Sequence, residues 1–284
     1  MGDASKYQYK HFKVDFPAEY VAHVQLDRPE KMNSLNPAMW ENLPLLFNQL
    51  SRDENVRAVM LSGAGDRAFC AGLDVTSDAA ASGWPDFPDH ARKIWAMRRH
   101  IAECQASIRS IEKCEKRRSF FSTVVDLHGV VYGGGLEIPL ACDIRYCTTN
   151  ARFCIKETDV GLANVGGLTW LPKIGVSYSW AKEMTYTARV WQGEEALRVG
   201  FVSKVFETKD ELLQNGLELA KEIASKSPLA VQGSKAIMDF SRDRPVDDGL
   251  HFTATWTSAF ADAEDVKTAM TSGLKRTKPK FAKL

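Results

Sequence analysis

The sequence has no apolar run near the ~20 residues that a membrane-spanning helix needs, so a helical membrane span is not expected. It also lacks a dominant sign of charge. Lys and Arg number 37 against 36 Asp and Glu, a formal net charge of +1, which leaves no global field for nucleic acid or a membrane surface. The N-terminus, Met1-Gly2-Asp3-Ala4-Ser5-Lys6, has no apolar signal core, so secretion is not expected. None of the six cysteines (Cys70, Cys104, Cys114, Cys142, Cys147, Cys154) forms a C-x-x-C pair, and no His stands at zinc-ligand spacing from two of them. Reduced, buried thiols and no metal site follow as expectations. No G-x-x-x-x-G-K-[ST] phosphate loop and no G-x-S-x-G elbow occur, nor any repeat of solenoid length or low-complexity linker.

What is present is enough apolar content, 44% of 284 residues, for one sizeable core. Strand-like runs at Tyr9–Phe16 and Tyr20–Leu26 flank Pro17-Ala18-Glu19, which predicts a hairpin. Pro37 opens a helix with Met39, Trp40, Leu43, Leu46, Phe47 and Leu50 at helical spacing. Val56–Leu61 reads as a buried strand, and 76–90, rich in Ala, Ser, Gly, Pro and Asp, as a loop. A long helix is predicted from about 89 to 118, where Ile94, Met97, Ile101, Cys104, Ile108 and Ile111 form a heptad-like seam suited to core or subunit contact. Thr123–His128, Ile144–Cys147 and Ala151–Ile155 read as strands, with a glycine-led helix at Gly133–Ala141. Beyond about 178 the pattern is mainly helical (178–188, 193–199, 209–226, 229–242, 247–260, 262–273), with one strand at Val202–Phe206. These elements describe an α/β core with a helical C-terminal part packed on it.

Glycines and carboxylates carry the chemistry. Gly63-Ala64-Gly65-Asp66-Arg67-Ala68 fits the dinucleotide fingerprint G-x-G-x-x-A, but Phe69-Cys70-Ala71-Gly72 follows where a helix should start, so a Rossmann site is not expected. Two other glycine loops each follow a strand: Phe69-Cys70-Ala71-Gly72-Leu73-Asp74, and the run Gly133-Gly134-Gly135-Leu136-Glu137. Glycines at a helix start expose N–H groups able to stabilise an oxyanion; close packing that forbids a Cβ explains Gly133–Gly135 equally well at this point. Glu137 is flanked by Leu136, Ile138, Pro139 and Leu140, poor company for a surface residue, and apolar surroundings raise a carboxylate's basicity. Glu157 follows the strand Ala151–Ile155.

With these residues in view, the sequence resembles the crotonase family, the enoyl-CoA hydratases and isomerases, from about Val21 to Phe281. The resemblance rests on Leu26-Asp27-Arg28-Pro29-Glu30-Lys31-Met32-Asn33-Ser34-Leu35, both glycine loops, Ala141-Cys142-Asp143-Ile144-Arg145, Gly200-Phe201-Val202-Ser203-Lys204-Val205 and Lys226-Ser227-Pro228. It implies an α/β spiral of ββα turns with a helical C-terminal trimerisation region. Residues 1–200 would hold the core and active site, and 201–284 the helical region and tail. It further implies fatty acyl-CoA thioester substrates, with coenzyme A part of the substrate and no separate cofactor, and a homotrimer or homohexamer. The oxyanion donors would be the N–H groups of Leu73 and Gly134. Arg28, Lys31, Asn33 and Ala71 would help hold the coenzyme A nucleotide, and Lys275 and Lys278 could meet its phosphates, on a neighbouring subunit if not their own.

Within the family the sequence is similar in particular to the Δ3,5-Δ2,4-dienoyl-CoA isomerases, through 141–147, 156–163, 225–232 and Ser241-Arg242-Asp243. Two departures stand out. Those isomerases carry Asp in place of Glu137, and an Asp shortly after Gly-Leu-Ala, where this chain has Asn164. Since Asn164 cannot take a proton, the shuttle would fall to Glu157 with Glu137, or to Asp159. Glu137 and Glu157 also reproduce the carboxylate pair of enoyl-CoA hydratases, and a Δ3-Δ2-enoyl-CoA isomerase would need only Glu157. A non-catalytic crotonase-like binding protein is the alternative from another class; it would not need both acids. Trp84, Phe87, Trp95 and Met97 could line an acyl pocket, or equally pack in the core or an interface. The ending Ala282-Lys283-Leu284 resembles the S-K-L address read by the peroxisomal import receptor, which makes the peroxisome the expected location.

Overall fold

The computed structural model describes residues 2–76, 87–113 and 121–283. Trp84, Cys114 and Leu284, and the end of the predicted long helix, lie outside them. Strands β1 (Phe12–Ala18) and β2 (Val21–Leu26) form the antiparallel hairpin. Pro17 falls inside β1, where the register slips between Asp15 and Ala18. The reversal itself is made at Glu19-Tyr20, with Tyr20 at φ 62°. Helix α1 (Pro37–Leu50) starts at Asn36, whose side chain accepts the Met39 N–H, and buries Met39, Leu43, Leu46, Phe47 and Leu50.

From here the chain alternates between two sheets. Strands β3 (Ala58–Gly63), β5 (Ser122–Leu127), β7 (Ile144–Thr148) and β10 (Lys204–Phe206) join β1 and β2 in a six-stranded sheet ordered β1-β2-β3-β5-β7-β10, parallel from β2 onward. Strands β4 (Ala68–Cys70), β6 (Val130–Tyr132), β8 (Arg152–Cys154) and β9 (Trp191–Gln192) form a second sheet in that order. Each pass of the spiral therefore leaves one strand in each sheet: β3 then β4, β5 then β6, β7 then β8. β3 is buried throughout and β5 from Thr123 on, so both strands are covered on both faces, with mostly apolar side chains and the polar Ser62, Thr123 and Asp126 among them.

The helices between and after them are α2 (His90–Glu112), α3 (Gly134–Leu140), α4 (Tyr178–Thr187), α5 (Gly193–Arg198), α6 (Lys209–Ala224), α7 (Pro228–Ser241), α8 (Val246–Phe260) and α9 (Glu264–Leu274). Both β10 and α6, which packs on β3 and β5, come after residue 200, so the C-terminal region completes the same core. The seam of α2 is buried only at its end: Cys104, Ile108 and Ile111 are in the core, whereas Ile94, Trp95 and Ile101 are exposed. Arg57, just before β3, stacks on Tyr20 and donates to the carbonyls of Phe281 (3.0 Å) and Ala282 (2.8 Å), tying the tail to the start of the sheet. Among the described residues no helix is long and apolar enough to cross a membrane, and the five described cysteines are buried and unpaired.

Candidate active site

Three parallel neighbours of the small sheet, β4, β6 and β8, each release a functional group at the same end. β4 leads through Ala71-Gly72 to Leu73, β6 through Gly133 to Gly134 and Glu137, and β8 through Ile155-Lys156 to Glu157. Parallel pairing makes the carboxyl ends of these strands coincide, which is why residues far apart in sequence meet.

The Leu73 loop is held by a parallel bridge to Leu35. Leu35 N–H donates to the Gly72 carbonyl (2.7 Å) and Asp74 N–H to the Leu35 carbonyl (3.0 Å). In that pattern the N–H of Leu73 itself faces away from Leu35, towards α3. Gly134 is the first residue of α3, where an N–H has no acceptor within the helix. The three glycines of the run serve different ends. Gly133 adopts φ 50°, ψ −127°, a conformation L side chains avoid. A Cβ at Gly135 would lie 2.3 Å from the Cys70 carbonyl oxygen, so packing requires that glycine. At Gly134 a Cβ would have 3.7 Å to its nearest neighbour, a Leu35 methyl, and 3.9 Å to the Leu73 nitrogen. Neither strain nor packing demands glycine there, and the Gly134 position stands beside the Leu73 amide.

Glu137 is 3% exposed and its Oε1 accepts the N–H groups of Gly166 (3.1 Å) and Gly167 (3.0 Å). Burial pushes its carboxyl above the usual range and the charge of Glu157 adds to that, while the Gly166 and Gly167 donors and Asn164 pull it back. Glu157 is likewise buried and raised by desolvation, with Asn164 again opposing. Its Oε2 has no hydrogen-bond partner among the described residues, and its Oε1 lies 3.6 Å from where a Cβ on Gly133 would stand. Asn164 sits at φ 114° and its Oδ1 accepts from Gly166 (2.9 Å) and Leu168 (3.2 Å). Glu137, Glu157 and Asn164 line one cavity of about 10 Å³, with Gly133, Leu136, Leu140 and Leu171 as apolar wall. Sequence reasoning missed the Gly166-Gly167 clamp; its only trace was two adjacent glycines after Asn164.

Other expected site residues lie apart. Asp159 is exposed and pairs with Lys156, outside that cavity. Arg28 turns inward, its Nη1 donating to Asp74 (2.6 Å) and the Ser34 carbonyl (3.1 Å). Asn33 is fully buried, its Nδ2 donating to the carbonyls of Ala64 and Ala68 (both 3.0 Å) and its Oδ1 accepting the Arg28 N–H (2.9 Å). Both brace the Leu73 loop from beneath. Lys31 is exposed, and Ala71, half-buried, donates its N–H to the Met32 carbonyl (3.0 Å). Lys275 and Lys278 are exposed; Lys278 acts on Glu222 near the end of α6, whose Ala224 carbonyl meets Arg57 (3.3 Å), at the end of β3 away from the glycine loops. Phe87 and Met97 are half-buried and Trp95 is exposed. The Gly63–Ala68 segment links β3 to β4 with no helix.

The model of the enoyl-CoA hydratase/isomerase family matches residues 18–283. Mouse mitochondrial Δ(3,5)-Δ(2,4)-dienoyl-CoA isomerase is 40% identical over 99% of this chain and 86% of its own. The peroxisomal enzyme of that name from Arabidopsis thaliana is 39% identical over 93% of each chain. A short-chain-enoyl-CoA hydratase from Clostridium acetobutylicum is 31% identical over 91% of this chain and 92% of its own. Among solved structures, enoyl-CoA hydratase from Bacillus anthracis superposes with a TM-score of 0.85 at 26% identity, covering 96% of this chain and 99% of that one. With its two-sheet spiral, and with the match running through both glycine loops and both buried glutamates, this chain belongs to the enoyl-CoA hydratase/isomerase family.

Proposed function

We propose that the protein is a Δ3,5-Δ2,4-dienoyl-CoA isomerase. The observation that carries it is the placement of two buried, raised carboxylates in one cavity, with the Leu73 and Gly134 positions adjacent, in a chain 40% identical to such an isomerase. The thioester oxygen takes hydrogen bonds from Leu73 and Gly134. Glu157, next to Gly133, removes a proton from C2; the electron pair forms C2=C3, the C3=C4 pair moves to C4=C5, and the C5=C6 pair takes a proton at C6. Glu137, farther along the cavity between Leu140 and Gly167, delivers that proton, and one proton passed back from Glu157 resets the pair. The N–H donors stabilise the dienolate, each to the extent of about 3 kcal/mol. Neither Asn164 nor the exposed Asp159 is needed as an acid in this scheme.

A second reading, enoyl-CoA hydratase, is favoured by one observation: the cavity between the carboxylates has room for about one water. One assay separates them. Purified protein given a 3,5-dienoyl-CoA should generate the conjugated 2,4-dienoyl absorbance, and Glu157→Gln should lose it. Silence there, with water added to 2-enoyl-CoA, replaces the isomerase with the hydratase. Conversion of 3-enoyl- to 2-enoyl-CoA alone replaces it with the Δ3-Δ2 isomerase. Unchanged turnover in Glu157→Gln rejects the catalytic scheme.

The exposed apolar residues Val246, Leu250, Met270 and Leu274 of α8 and α9 suit burial against further copies in a trimer or a dimer of trimers. In such an assembly Lys275 and Lys278 of one copy would meet the coenzyme A phosphates bound to another. The Ala282-Lys283-Leu284 ending supports a peroxisomal location, the location in the name of the Arabidopsis relative, whereas the mouse relative is named mitochondrial. A fluorescent fusion with and without the last three residues tests this: both diffuse, or both mitochondrial, would reject it.

A further inference from the structure

The segment from Asn164 to Lys173 holds two short 3-10 helices, Gly167–Thr169 and Leu171–Lys173, and it supplies the two N–H groups on Glu137 and the amide beside both carboxylates. What fixes it comes from α2 and the end of α7. Gln105 and Glu112 lie two helical turns apart on one face of α2. Gln105 Nε2 donates to the Val165 carbonyl (2.6 Å). Glu112, 5% exposed, accepts the Trp170 indole N–H at 3.1 Å and the Arg242 guanidinium at 2.6 Å, both on Oε1. Trp170 in turn donates its backbone N–H to the Gly167 carbonyl (3.0 Å), and its ring lies against Gly166. Beside it Lys173 pairs with Asp243. A continuous path thus runs Arg242, Glu112, Trp170, Gly167, Glu137.

We infer that Arg242 and Glu112 are positioning residues of the active site: through Trp170 they set the Gly166-Gly167 donors that hold Glu137. The inference rests on the acid–base reading of Glu137 given above. A buried carboxylate is stable only with its partners in place. Arg242 fixes the charge of Glu112, Glu112 fixes the indole, and the indole fixes the peptide that reaches the catalytic group. Asp239 and Asp243 are further charged groups acting near this pair. Glu137 is faced by Glu157, Asn164 and the Cys104 thiol. Loss of the Gly166-Gly167 donors would leave Asn164 to oppose burial and the Glu157 charge at Glu137, raising its carboxyl further. This gives the Ser241-Arg242-Asp243 stretch noted in the sequence a role about two elements away from the chemistry.

Trp170→Phe tests the path: it keeps an aromatic ring, removes the indole donor and shortens the ring that lies against Gly166. Glu112→Leu and Arg242→Met complete the series, and Arg242→Lys is the conservative control. The expected result for Trp170→Phe is a kcat on the 3,5-dienoyl thioester lower by about tenfold or more, KM within about twofold, and the Glu137 limb of the pH–rate profile moved to higher pH. Arg242→Lys should recover most of the kcat that Arg242→Met loses. A lower melting temperature in Trp170→Phe with unchanged kcat and pH profile would overturn the inference, leaving a merely structural contact. Glu137→Gln is assayed alongside: if it turns over normally, the acid–base reading itself fails. If it is inactive while Trp170→Phe and Arg242→Met behave as wild type, only the positioning inference fails.

Discussion

The place a Cβ on Gly134 would occupy is 3.9 Å from the amide nitrogen of Leu73. On the proposed reading Gly134→Ala therefore sets a methyl group beside the seat of the oxyanion while leaving the protein's packing intact, the nearest side-chain atom being 3.7 Å away. The expected outcome is unchanged or slightly raised thermal stability with kcat lowered on the order of 100-fold. Gly72→Ala should differ: its Cβ would meet the Tyr132 carbonyl oxygen at 2.8 Å, at φ 94°, so stability and activity fall together. Melting curves and steady-state kinetics on both variants check the contrast.

On the proposed scheme Glu157 sets the acid side of the pH profile, and Glu137, which must be protonated to deliver the C6 proton, sets the alkaline side. Both Glu137 and Glu157 are raised above 4.5 by burial, and Glu157 must be ionised to take the C2 proton. The rate should fall as pH drops through this raised value, at a pH above the ordinary carboxylate range. Asn164→Asp adds a like charge beside both, so its acid limb should lie at still higher pH. Asn164→Ala removes an interaction that holds both down and should shift the limb the same way.

Much of this architecture is readable in the sequence because long elements announce themselves by period. The spacing of Met39, Leu43, Leu46, Phe47 and Leu50 fixes α1, and the apolar run before Gly63 fixes β3. The strands that build the site, β4, β6 and β8, are only three residues each, too short for a two-residue alternation; their glycine loops are what betray them. Exposure of Ile94 and Ile101 in α2 was not readable, since a seam records that something covers it and not what. Nor was the inward turn of Arg28 and Asn33, because two polar residues beside a loop look alike in sequence whether they face a ligand or brace the loop from below.

Asp126 on β5 is fully buried, neither oxygen has a hydrogen-bond partner among the described residues, and burial raises it well above 3.8. A carboxyl with a raised native pKa binds its proton more tightly when folded. Its contribution to stability is complete below about 3.8 and is lost as pH rises towards the native value. Asp126→Asn should therefore be more stable than the parent at neutral pH and show a flatter stability–pH curve, measured by urea unfolding from pH 4 to 8.

The same carboxylate occupies the space of a side chain on α6: a Cβ at Gly216 would lie 2.2 Å from Asp126 Oδ2. Gly216→Ala alone should destabilise, despite the roughly 1 kcal/mol that Ala gains over Gly inside a helix. Paired with Asp126→Ala, which vacates that space, the gain should reappear and the double variant should exceed the sum of the singles. Additive free energies would contradict the contact.

Arg57 holds the carbonyls of Phe281 and Ala282, and Lys283 reaches Asn55 (2.6 Å). Arg57→Ala should release this end of the chain, seen as several-fold faster trimming by a carboxypeptidase and as loss of amide protection over 279–283. Equal trimming rates would mean that the tail is held by something else.

The spiral that drops one strand into each sheet separates two tasks that most active sites must settle together. On the proposed reading, loops after β4 and β6 activate the carbonyl with main-chain amides, which no ordinary substitution alters chemically. The path of the proton would then rest on the side chains at 137, on α3, and 157, on the turn after β8, with Asn164 beside both. Such a scaffold can be given a new reaction by editing a few letters at those positions, while the apparatus that makes the thioester reactive stays fixed.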